Sequence, residues 1–318
     1  MTTLTTSFKY STEHQRDKKF LILLTLILVM GILTTLSGYY LSKKVLNREK
    51  LKIFQQDAEK IQQLIEERML AHVNTLRSIQ SLWNSQNQPV TNQQFSQFLN
   101  SLNIFYDYPG ISSIGFAKRV DDKLLTTYIE PLEGRENTLG FDHAADPTRK
   151  LSFDRARDTG EIISSSPFTL ITTNRPGFFL IAPIYQTGET PRSLIERQKQ
   201  LSGFIAMVFR ETELFRAIFG RQNLLPDIDF AIYNQESLLF DSDPGFDPTA
   251  NPQLLQTKKY VTIGQSPWTI IISAKPSFSL TAAEENLPRT MLIVGLTLGG
   301  LSGLVILSFY RRHLTTWH

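Results

Sequence analysis

Cysteine is absent from this 318-residue chain. That excludes disulfides, thiolate metal sites and a cysteine nucleophile. It leaves the compartment open, because an extracytoplasmic domain with a real core does without bridges. A strong charge of one sign is also missing. The formal net charge is +3, too small a surplus to point to nucleic acid. Asn-x-Ser/Thr acceptor sites are lacking between residues 42 and 290, which fits a bacterial periplasm better than a eukaryotic surface. There is no Gly-rich phosphate loop, no HExxH and no GxSxG. His72 and His143 are the only histidines of that region, and both read as solvated or structural. Asp241, Asp243 and Asp247 in DSDPGFD lack the glycine and glutamate of a calcium loop and read as a turn. Glu130, Glu133 and Glu136 fall in a polar loop and give no paired-carboxylate catalysis. The chain is therefore expected to be no enzyme, with no cofactor and no metal.

What is present is two long uncharged runs. Phe20 to Leu41, FLILLTLILVMGILTTLSGYYL, is ~33 Å long as a helix, enough for a ~30 Å hydrocarbon layer. Met291 to Tyr310, MLIVGLTLGGLSGLVILSFY, is ~30 Å long. The first run is too long for a signal peptide, and Lys43 and Lys44 follow it instead of a cleavage site. Basic residues tie across the first run, but Arg311 and Arg312 outweigh Arg289 at the second. That favours a cytoplasmic C-terminus and places 42–290 outside the inner (plasma) membrane as part of a two-pass protein. With 41% hydrophobic and 20% charged residues, the remainder is neither disordered nor an all-membrane transporter.

Residues 42–85 read as one long helix. Phe54, Ala58, Ile61, Ile65, Met69, Val73, Leu76 and Ile79 recur every three or four positions. Such a stripe packs on its own domain or pairs with a second copy. A polar break at 84–94 and a short helix at 93–103 follow. Strands are expected at 111–120, 125–129, 162–171 and 178–185, with a helix from Asp146-Pro147 to Gly160. Residues 186–200 read as a loop or linker. Beyond it come a strand at 201–209, a helix at 211–219 and strands at 228–233, 238–240, 260–263 and 268–274.

Four segments in order, YPGISSIGFAKRV at 108–120, GFDHAADPTRKLSFDRARDTG at 140–160, SSPFTL at 165–170 and GFFLIAPIY at 177–185, resemble the CHASE domain, an extracytoplasmic sensor module of bacterial and plant receptors. The resemblance covers roughly 50–285. It implies a stalk helix followed by a membrane-distal and a membrane-proximal PAS-like unit, with the ligand in the distal one. Ser165 stands where cytokinin receptors of this family place a pocket threonine, and Asp154 where they place a leucine. Glu133 is nearest by spacing to their ligand-gripping aspartate.

The expected fold class is α+β: two transmembrane helices flank a long stalk helix and two PAS-like units with antiparallel sheets. The expected boundaries are a cytoplasmic tail at 1–19, a span at 20–41, the stalk at 42–85, the distal unit at 86–192, the proximal unit at 193–286, a span at 291–310 and a cytoplasmic tail at 311–318. Ser113, Gly115 and Ala117 share one strand face and cannot fill the space above it, so a helix packs closely there or a ligand cavity remains. The candidate ligand residues are Ser113, Gly115, Phe116, Ala117, Arg119, Asp142, Arg155, Ser165, Phe168 and Tyr185. Arg119 and Arg155 suit a polar ligand group, or else an internal salt bridge with Asp142 or Asp158. Gly295, Gly299 and Gly303 recur every fourth residue and mark a homodimer seam. The expected function is a membrane-anchored sensor that binds a small molecule and signals inward through a separate cytoplasmic partner. Eight residues after the second run leave no room for a kinase or cyclase. The alternatives are a ligand-free periplasmic scaffold and the N-terminal part of a receptor kinase or cyclase.

Overall fold

The computed structural model describes residues 3–86, 88–220 and 225–315. The tails expected at 1–19 and 311–318 extend to residues 1–2 and 316–318, which lie outside the described residues. The chain forms two compact units. One is Met1–Ile53 with Ser279–His318, the other Phe54–Phe278.

Helix α1 (Thr3–Ser85) runs without a break through the first apolar run and the stalk. No proline or glycine interrupts it after Gly38. After it come α2 (Asn92–Ser101), α3 (Ile104–Asp107), β1 (Ile111–Val120), β2 (Lys123–Glu130), α4 (Pro147–Thr159), β3 (Ile163–Ser164), β4 (Phe168–Thr169) and β5 (Pro176–Tyr185). The chain continues with α5 (Leu194–Gln200), β6 (Leu201–Arg210), α6 (Glu211–Phe219), β7 (Ile228–Asn234), β8 (Ser237–Asp241), β9 (Gln256–Ile263), β10 (Ser266–Ala274) and α7 (Ala282–Thr315). Helix and antiparallel sheet are mixed as the sequence implies.

In the first unit, α1 and α7 are each long and apolar enough to cross a membrane. The glycine stripe of α7 faces α1. A side chain at Gly295 would run into Thr35, and one at Gly303 would reach within 3.2 Å of Leu28, while Gly299 faces open space. The absence of a side chain at 295 makes room for the Thr35 side chain of α1. Two of the three glycines expected at a seam between copies thus also meet α1 of their own chain.

In the second unit, a six-stranded sheet has the order β2-β1-β6-β5-β3, with β4 also on β5, and a four-stranded sheet has the order β8-β7-β10-β9. All pairs are antiparallel. The stalk stripe from Phe54 to Ile79 is buried within this unit. Its burial settles the stripe as packing on its own domain. His72 of α1 meets Phe209 of β6 at 5.0 Å, and Trp83 meets Phe116 of β1 at 4.1 Å between ring centroids. The opposite face of the large sheet carries Phe179, Ile181, Phe204 and Ala206, packed with Phe153 and Ala156 of α4. Covered on both faces, β5 is apolar throughout and buried from Gly177 to Tyr185.

Three expectations are corrected here. Residues 186–200 contain α5, started by a capping box in which Ser193 accepts from Glu196 N–H and Glu196 from Ser193 N–H. The strand expected at 162–171 is two pairs, β3 and β4, interrupted at Pro167, which has no N–H to donate. Strand β6, expected in the proximal unit, lies between β1 and β5 of the first sheet. The polar stretch before it is the connection of a hairpin.

Candidate ligand site

The site forms where the small face of β1 meets α4. Register places Ser113 opposite Val208, Gly115 opposite Ala206 and Ala117 opposite Phe204. Alternation then puts Ser113, Gly115 and Ala117 on the α4 side of the sheet. A cavity of about 60 Å³ remains there, lined by Ser113, Gly115, Phe116 and Ala117 of β1, Thr126 of β2, His143, Arg149 of α4, Phe168, Phe179 and Val208. At a few water volumes, it is a narrow space. The ring of Phe116 packs against Trp83 on the other side of the sheet.

Asp146 starts α4 and fixes the principal charge of the site. Its Oδ1 accepts from Thr148 N–H at 2.9 Å and Arg149 N–H at 3.3 Å, and Pro147 fills the first turn. Arg149 is only 5% exposed. Its Nη2 donates to Thr169 O at 2.9 Å. Its Nε lies 3.3 Å from Asp146 Oδ2, an ion pair without hydrogen-bond geometry. The guanidinium stands over Phe141 at 4.9 Å and Phe168 at 4.5 Å. Burial lowers its pKa, and Asp146 partly restores it. Among the described residues, Nη2 is the one guanidinium atom with a hydrogen bond, so donors remain for a ligand.

His143 is the second polar group. One ring nitrogen, Nε2, is 2.9 Å from Thr126 Oγ1, and the other, Nδ1, is buried with no hydrogen-bond partner. Phe141, Phe153 and Phe179 surround the ring at 5.2–5.7 Å. Burial first, then the Arg149 charge, pushes its pKa down to about 4. The imidazole is thus neutral at pH 7. One fixed cation, one neutral imidazole and several hydroxyls among aromatic rings can hold a small ligand bearing a carboxylate, carbonyl or amide oxygen.

Of the residues expected from sequence, Ser113, Gly115, Phe116, Ala117 and Phe168 line this cavity. The others are placed elsewhere. Arg119 is exposed and donates to Asp121 O at 3.4 Å. Arg155 donates to Gln265 O at 2.9 Å. Asp142 Oδ1 is occupied by the N–H groups of Leu124 and Ala144, at 3.0 and 2.9 Å. Ser165 Oγ accepts from Phe179 N–H at 2.9 Å and donates to Ser166 O. Tyr185 donates to Arg157 O at 2.8 Å. Glu133 is exposed. Sequence reasoning passed over Arg149 and read His143 as structural. The available signal was the spacing Arg149, Ser152, Phe153, Ala156, the buried face of α4. Leu151, one turn before Arg155 on α4, is 72% exposed.

Residues 121–244 match the family model of the CHASE domain. The CHASE match includes Thr126, His143, Arg149, Phe168 and Phe179, and leaves out β1. No curated protein matches the chain. Among solved structures, the chain is similar to the ligand-binding domain of Pseudomonas fluorescens chemoreceptor CtaA in complex with L-serine, at 11% identity and TM-score 0.49, over 72% of this chain and 98% of that one. It is also similar to the ligand-binding domain of Pseudomonas aeruginosa amino-acid chemoreceptor PctC in complex with GABA, at 16% identity and TM-score 0.46, over 72% and 99%. An extracellular ligand-binding receptor from Desulfohalobium retbaense is similar at 10% identity and TM-score 0.48, over 70% of this chain. The chain spans 39% of that receptor's length.

Proposed function

We propose that the chain is a membrane-anchored extracytoplasmic sensor whose CHASE region binds a small oxygen-bearing organic molecule between β1 and α4. The observation that carries this reading is the Arg149 guanidinium, buried beside a cavity with donors unspent. A buried cation is costly unless paired and hydrogen-bonded, and a ligand oxygen supplies what is missing. The two long apolar helices and the CHASE match support the anchored, outward-facing arrangement. A ligand in the cavity touches β1 and β6, whose other face packs on α1 through Trp83 and His72. Repacking of that sheet is the proposed route of the signal, read inside by a cytoplasmic partner of two associated copies.

Binding to the folded state alone raises stability, by ~2.7 kcal/mol at a hundredfold excess over Kd. The test is a thermal-unfolding panel of small carboxylic acids, amides and ketones against the full chain in detergent. A concentration-dependent rise in Tm for one chemical group supports the reading. A flat panel contradicts it and favours a ligand-free scaffold.

A further inference from the structure

A second concavity lies on the other side of Phe168 from this cavity. It is a groove of about 870 Å³ bounded by α6, the β4–β5 end of the first sheet and β8 at the edge of the second. Phe215 and Phe219 of α6, Phe230 of β7 and Phe240 of β8 form its aromatic wall. The Phe215–Phe240 and Phe219–Phe230 centroids are 4.6 and 4.7 Å apart.

Three charged residues line the groove: Glu211, Arg216 and Asp241. Arg216 is exposed. Asp241 is engaged locally, its Oδ1 accepting from Asp243 N–H at 2.9 Å. Glu211 differs. It is half-buried at the first position of α6 and has no hydrogen bond or ion pair among the described residues. The neighbouring Arg210 is paired with Glu213 at 2.8 Å instead. Burial, with no opposing cause, pushes the Glu211 carboxyl up to about 7.

A half-buried carboxylate without a partner is poorly solvated, and ring faces are negative. An organic ammonium satisfies both: it pairs with the carboxylate and lies over the rings. We propose that this groove is a second ligand site, taking a small organic ammonium with an apolar body, with Glu211 as its counter-ion and Phe219 and Phe240 as its aromatic wall. A neutral ligand leaves Glu211 unpaired, and an anion is repelled by Glu211 and Asp241. The site shares Phe168 with the Arg149 cavity but draws its charge from Glu211, on another element.

The test is isothermal calorimetry on the full chain in a non-ionic detergent, with empty micelles subtracted and benzylammonium, benzyl alcohol and benzoate as probes. Benzylammonium is expected to bind at least tenfold more tightly than benzyl alcohol, and benzoate no more tightly than the alcohol. Glu211→Gln should abolish the tenfold preference without lowering Tm, since the amide removes an unpaired charge. Phe219→Leu, which keeps an apolar side chain and loses the ring, should weaken benzylammonium several-fold. Absence of benzylammonium binding, equal affinity for benzyl alcohol, or a preference that survives Glu211→Gln would overturn the proposal.

Discussion

The Arg149 guanidinium stands 4.5 Å above the ring of Phe168, and Phe168 lines both the Arg149 cavity and the groove under α6. Two hollows of one unit thus share the short strand β4. Phe168 also packs on Phe179 at 4.2 Å, and its neighbour Thr169 accepts from Arg149. Phe168→Leu keeps the apolar bulk and removes both ring interactions. It is expected to cost about 1–2 kcal/mol in urea unfolding. A loss below ~0.5 kcal/mol would show that Asp146 and Thr169 hold Arg149 without the ring.

Asp146 has two separable roles, helix cap and counter-ion to Arg149. Asp146→Asn keeps a good cap and removes the charge. It is expected to cost about 1–2 kcal/mol, discounted because the carboxylate is partly exposed. Asp146→Ala loses the cap as well and should cost about 1 kcal/mol more. In an Arg149→Met background the charge effect of Asp146→Asn should vanish, and additive losses would contradict the pairing.

His72 and His143 are both buried, and burial pushes each pKa from 6.5 to about 4. Between those values the unfolded chain takes up protons that the folded chain refuses. Stability should therefore fall as pH drops from about 6.5 to about 4, by up to ~3 kcal/mol per histidine. Glu211, raised to about 7, acts in the opposite direction in an overlapping window, discounted for its exposure. The measurement is the difference between pH–stability curves of the chain and of His143→Gln. The variant should show the shallower acid slope, and parallel curves would contradict a neutral buried imidazole.

Gly295 approaches Thr35 of the same chain. The chain contains no cysteine, so Thr35→Cys with Gly295→Cys gives a clean pair. Mild oxidation in detergent is expected to yield a cross-linked monomer. A cross-linked dimer as the main product would place this seam between copies.

Much of the fold was legible because it is local. Asp146-Pro147 and Gly160 frame α4 with residues whose backbone roles are written in their chemistry, and the three-to-four spacing from Phe54 to Ile79 marks a buried helix face. Helix α5 escaped because none of its residues is buried, so apolar periodicity was lacking and only the Ser193–Glu196 box marked it. The place of β6 escaped because pairing with β1 is a non-local choice that alternation within the strand does not encode. The small face of β1 pointed to the cavity, but not to the side chain opposite it. Phe153 and Ala156 set the buried face of α4 and turn Arg149 inward, whereas Leu151 points to solvent. The α7 glycines announced close approach without naming the partner.

The central claim is that a ligand sits against Arg149 in the space above Ala117. The most direct measurement is the Kd, by calorimetry, of the first compound that raises Tm in the panel, for the chain, Ala117→Leu and Arg149→Met. Leucine at 117 fills much of a cavity of about 60 Å³, so binding should be lost while the circular dichroism spectrum stays unchanged. Arg149→Met should weaken binding at least tenfold, about 1.4 kcal/mol. An unchanged Kd in both variants would place the ligand elsewhere and contradict the claim.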